Sequence, residues 1–84
     1  MLTNVYSIKD LKVGYEPPFL AQNDEIAVRQ FHSAAKYGPV EQNRFKQNPM
    51  DYELYKIGTF DSATGVVSAD VQYVTNLAGV CSEV

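Results

Sequence analysis

Eighty-four residues suffice for one domain with a modest core and are too few for two. A composition 45% hydrophobic and 20% charged excludes a disordered tail, and a formal net charge of −3 excludes a general polycation that coats nucleic acid. The single cysteine, Cys81, excludes an internal disulfide and has no neighbouring ligand to suggest a metal site. No basic run precedes a long apolar core near the N-terminus, and no apolar run approaches the ~20 residues that span a bilayer. The expectation is a protein of a reducing interior, the cytoplasm of a bacterium, with no membrane partner. Residues 1–84 should form a single domain, with 75–84 a loosely ordered tail.

In chain order, Leu2 to Lys9 carries Val5, Tyr6 and Ile8 and predicts a strand. Asp10 to Glu16 reads as a turn or a short extension of the sheet. Glu16-Pro17-Pro18-Phe19 must be extended, because each proline pushes its predecessor out of the helical region and neither has an N–H to donate. Phe19 and Leu20 then read as core anchors ahead of the strongest helix signal in the chain.

That helix is predicted over 23–37. Asn23 can cap it, Asp24 and Glu25 place negative charge on its positive end, and Gly38-Pro39 can end it. Ala27, Phe31, Ala34 and Ala35 recur at helical spacing and give one small apolar face. Arg29, His32 and Lys36 fall on another, which is either the solvated side of an amphipathic helix or a surface for an anion. Between Arg29 and Lys46 four basic residues (Arg29, Lys36, Arg44, Lys46) face one acid, Glu41, so the middle of an acidic chain is basic.

Val40 to Pro49 reads as a polar loop containing Arg44-Phe45-Lys46. An aromatic between two cations is what stacking on a nucleobase requires, and equally what a loop pinned to the core by one phenylalanine looks like. Asn48-Pro49-Met50-Asp51 is turn chemistry. Tyr52 to Phe60 predicts a central strand with Tyr55, Ile57 and Thr59 on one face and Tyr52, Leu54, Lys56 and Phe60 on the other. Gly58 within it points to a bulge or a close backbone approach, and Asp61 to Gly65 to a hairpin loop with Gly65 at positive φ. Val66 to Ala69 returns antiparallel, and Val71 to Val74 continues after a kink at Asp70.

No catalytic constellation assembles from these residues. His32 is the only histidine, and there is no Ser/His/Asp set, no Cys/His cluster and no glycine-rich phosphate loop. Neither a catalytic residue, nor a metal, nor a cofactor is expected, and the chain reads as a binding protein.

Two stretches resemble a known family. Pro17 to Phe31 follows the pattern PPF-x-A-x-N-D then A-x-R-x-F, and Asn48 to Asp61 follows NP-x-D-(Y/F)-x-L-(Y/F)-(K/R)-IG-x-FD, with Thr64-Gly65 behind it. They are similar to the small non-structural protein of gokushoviruses, single-stranded-DNA phages of the microvirus group. The resemblance covers roughly residues 5 to 66. It implies a protein made in the infected bacterium, outside the main capsid proteins, that binds DNA in single-strand genome synthesis or packaging, and it brings no catalytic residues.

The fold expected is α+β: a small, mainly antiparallel sheet of three to four strands (2–9, 52–60 and 65–74) with the 23–37 helix packed on one face. One apolar sheet face is left over, which favours a homodimer. The expected function is sequence-tolerant binding of single-stranded DNA, with Arg29, Lys36, Arg44 and Lys46 on phosphates and Tyr37 and Phe45 as stacking platforms. The rival expectation is an adaptor dimer that engages the replication initiator or the procapsid and touches no DNA.

Overall fold

In a computed structural model of the chain, residues 1–36 and 43–77 are described, apart from the side chain of Lys46. The elements run β1 (Leu2–Asp10), β2 (Gly14–Tyr15), β3 (Phe19–Ala21), α1 (Asp24–Lys36), α2 (Arg44–Gln47), a 3₁₀ turn (Pro49–Asp51), β4 (Tyr52–Asp61) and β5 (Val67–Asn76). The architecture is α+β, as the residue pattern predicts. The antiparallel sheet holds five strands rather than three to four, in the order β2-β1-β4-β5, with β3 also paired to β1.

The two added strands are short and share one edge of β1. Gly14 and Tyr15 oppose Asp10 and Lys9, while Phe19, Leu20 and Ala21 oppose Tyr6, Val5 and Asn4. Between them lies Glu16-Pro17-Pro18, where Glu16 alone can serve the ladder. Its N–H donates to the Ile8 carbonyl at 2.8 Å, and its carbonyl accepts from the Ser7 hydroxyl at 2.7 Å. The stretch 10–16 is thus both a turn and a short extension of the sheet, while β3 was not expected as a strand because a three-residue piece carries no alternation of its own; β1 imposes it.

Helix α1 begins as its caps dictate. The Ile26 N–H donates to the Asn23 side-chain oxygen at 2.9 Å. The predicted C-terminal cap, Gly38-Pro39, lies outside the described residues. Ala27, Phe31 and Ala35 turn fully inward and meet Tyr6, Tyr52, Leu54 and Leu77 from the sheet side. Tyr6 is the hub: it is buried, stacks on Phe19 at 5.9 Å, and donates its hydroxyl to Asp24 at 2.5 Å while accepting from Asn4 at 3.0 Å. Burial, then that bond to Asp24, pushes the phenol up to about 12. Thus one side chain ties the first strand to the first turn of the helix.

Register assigns the faces, since directly opposed residues share one. Asn4, Tyr6 and Ile8 look toward α1; Thr3, Val5, Ser7 and Lys9 look away. On β4 the assignment changes at Ile57–Gly58, where two residues oppose a single step of β1. Tyr52, Leu54 and Lys56 lie on the helix side, but Gly58 and Phe60 share the far face with Tyr55. The predicted faces are therefore wrong beyond Ile57: Thr59 and Phe60 exchange sides, because a strict period of two cannot pass a bulge. Gly58 is required there, since a Cβ would sit 2.1 Å from the Ser68 carbonyl oxygen of β5.

The hairpin loop forms as predicted, with Gly65 at φ 77° and its N–H on the Asp61 carbonyl at 2.7 Å. The Ala63 N–H holds the Asp61 carboxyl below the usual carboxylate range. Two further expectations fail. Phe19 is a core anchor, but Leu20 faces away from the helix and is exposed, because strand alternation separates the two. The second is the break at Asp70: β5 runs on as one strand, and the irregularity at this point is a register shift that leaves Asp70 and Val71 between the pairs Gly58↔Ala69 and Lys56↔Gln72.

Candidate nucleic-acid interface

The residues proposed from sequence occupy separate places. Arg29 and Lys36 border one shallow groove on the outer side of α1 together with Glu25 and His32. Arg44 and Phe45 border another with Ala34 and Asn43. Arg29 is paired with Glu25 one turn earlier, at 3.4 Å with both side chains exposed, an interaction of ~0.3–0.5 kcal/mol. Arg44 forms an ion pair with Glu16 and lies over the ring of Phe45, 5.1 Å from its centroid. Among the described residues no carboxylate is within ion-pair distance of Lys36. Tyr37 and the Lys46 side chain lie outside the described residues.

Phe45 takes the second of its two predicted roles. Its ring is half-buried, 4.7 Å from Tyr52 and 6.3 Å from Phe31, edge-on to both. It pins α2 against the core. Two of the four cations thus face carboxylates, and the aromatic between them faces inward.

The sheet builds a different site on the face away from α1. Lys9 opposes Tyr15 across β1 and β2, and Tyr55 opposes Tyr73 across β4 and β5. The three tyrosines form a row. Tyr15 and Tyr55 lie 5.7 Å apart, as do Tyr55 and Tyr73, each pair edge-to-face. The Lys9 ammonium sits between the first two rings, 5.5 Å from Tyr15 and 5.4 Å from Tyr55. Tyr15 and Tyr73 are 50% and 51% exposed.

Polar groups set the orientation of the row. The Tyr55 hydroxyl donates to Glu53 at 3.2 Å, and Asn76 donates to the Tyr73 hydroxyl at 2.9 Å. Burial and the Glu53 bond both raise the Tyr55 phenol above its ordinary value, so it stays neutral well above neutral pH. A cation fixed among half-exposed aromatic rings on an open sheet is the arrangement that single-stranded nucleic acids use for stacking.

None of Lys9, Tyr15, Tyr55 or Tyr73 was among the residues expected from sequence. Each sits in a different strand, and only register brings them together. The signal available was six tyrosines without a tryptophan, four of them (Tyr6, Tyr52, Tyr55 and Tyr73) in predicted strands.

Residues 3–80 match the family model of the phage ORF5 protein. The chain belongs to the phage ORF5 protein family. Neither a curated protein nor a solved structure matches it. Membership in the ORF5 family makes this a phage protein, and within the described residues no helix is long and apolar enough to cross a membrane.

Proposed function

We propose that this ORF5-family chain is a non-enzymatic phage non-structural protein that binds single-stranded DNA through its open sheet face. Bases stack on Tyr15, Tyr55 and Tyr73 while Lys9 neutralises a phosphate. The single observation that carries the reading is the tyrosine row with a lysine set into it. Stacking contributes ~1–3 kcal/mol per base and tolerates any sequence, which suits a protein that must coat a genome during synthesis or packaging. The resemblance to gokushovirus proteins supports the same role, carried out in the cytoplasm of the infected bacterium.

Binding of this kind leans on aromatic surface more than on charge. With one lysine at the row, the affinity for a labelled oligothymidylate should fall with salt at a log–log slope of only about −0.7. Tyr55→Ala and Tyr73→Ala should each weaken binding roughly 5- to 150-fold, the range that ~1–3 kcal/mol of stacking gives, and Arg44→Glu should change it little. Fluorescence anisotropy measures all three. An oligonucleotide that stays free at tens of micromolar protein, or one released by Arg44→Glu and indifferent to both alanine variants, overturns the reading.

A second reading has an observation of its own. The same face continues from the tyrosines into Val67, Val71 and Leu20, all exposed and apolar, which suits a protein partner such as the replication initiator or the procapsid. Failure of oligonucleotide binding would favour that adaptor role.

A further inference from the structure

The last strand of the sheet leaves one side open. β5 ends the strand order, and among the described residues no strand pairs with its outer edge. It is ten residues long, and residues 67 to 73 are all exposed. Edge strands that remain single are usually shortened, or carry lysine or proline that rejects a neighbour. Val67–Asn76 contains no proline, lysine or arginine, and its one charge is Asp70.

From Val67 to Tyr73 successive side chains take opposite faces, with Asp70 and Val71 where three steps of β5 meet two of β4; a second register shift follows at Val74. Val67, Ala69, Val71 and Tyr73 lie on the open face, and Ser68, Asp70 and Gln72 on the other. Val67 is 65% exposed and Val71 58%, so the apolar stripe is uncovered.

We propose that two copies of the chain pair through the outer edges of β5, antiparallel, about a two-fold axis at Val71. A two-fold perpendicular to the sheet keeps each residue on its own face, so open-face residues meet open-face residues. About Val71, that residue meets its own equivalent, Ala69 meets Tyr73, and Asp70 meets Gln72. The last pairing decides for a second copy. Gln72 already donates to Asp70 within the strand at 2.9 Å, so the one acid of the edge is offered its own amide partner across the axis instead of a like charge. An axis at Asp70 would set two carboxylates opposite each other. The result is one continuous sheet with the apolar stripes of both copies side by side. The inference stands on the strand edge and is independent of DNA binding.

The test is the solution mass of the whole chain by sedimentation equilibrium, with two variants. The wild type should show twice the 9.4 kDa chain mass at micromolar concentration. Val71→Lys sets two ammonium groups opposite each other and should raise the dimer dissociation constant at least tenfold; Val71→Glu should do the same. Mixed in equal amounts, the two variants should return to the dimer mass. Circular dichroism of each variant checks that it is folded, and Val71 is exposed enough to tolerate either change. A second readout avoids mutation: the amides of residues 69 to 73 should exchange more slowly as protein concentration rises. A wild-type monomer at high micromolar concentration, a mixture that stays monomeric, or edge protection that does not depend on concentration each overturns the proposal. The last would show that the chain covers its own edge.

Discussion

The two ends of the sheet are built from the same strands and fare differently. At one end β1 and β4 contribute Tyr6 and Leu54, both fully buried under α1. At the other end of that same face β1 contributes Leu2, two thirds exposed, and β5 contributes Ser68, also exposed. The reason is length. A thirteen-residue helix reaches about 20 Å, while a ten-residue strand reaches about 34 Å, so a single helix cannot roof the sheet. The covered end supplies stability; the bare end supplies surface.

That contrast can be broken at its strong end first. Phe31→Ala removes the large side chain that α1 buries completely, and should cost about 3–5 kcal/mol, read as a lower urea midpoint. A loss below 1 kcal/mol would mean that α1 is not what stabilises the sheet. Gly58→Ala tests the junction between the two ends. Its new methyl would meet the Ser68 carbonyl, so β4 and β5 must part locally at about 1–3 kcal/mol.

Tyr6→Phe probes the covered end through pH. The folded phenol titrates near 12 and the unfolded one near 10, so the native state holds the proton longer. Stability from this group is complete below pH 10 and falls as pH rises toward the folded value. In the wild type that decline should follow the loss of the phenol proton in ultraviolet titration, and Tyr6→Phe should flatten it. The smallest effect is expected at the bare end, where Val67→Thr should shift stability within about 0.5 kcal/mol in either direction.

The helix and the long strands were legible because each carries its own signal. Asn23 caps, Ala27, Phe31 and Ala35 repeat, and Tyr52 to Leu54 alternate, whatever the rest of the chain does. What register decides was not legible. Nothing local distinguishes Tyr15, in a two-residue strand, from a loop tyrosine, and although Gly58 announces a bulge, nothing local reports that Phe60 changes face beyond it. The basic cluster misled for a related reason. Arg44 and Glu16 are 28 residues apart, so their pairing is invisible until the fold brings α2 beside the connection between β2 and β3.

The proline pair between β2 and β3 has a consequence for assembly size. Pro17 and Pro18 have no N–H, and they interrupt an edge otherwise made of two- and three-residue pieces. A third molecule could find little there to extend a ladder. With one flank open and the other stopped, the pairing proposed through β5 would close as a pair and would not run on into a filament.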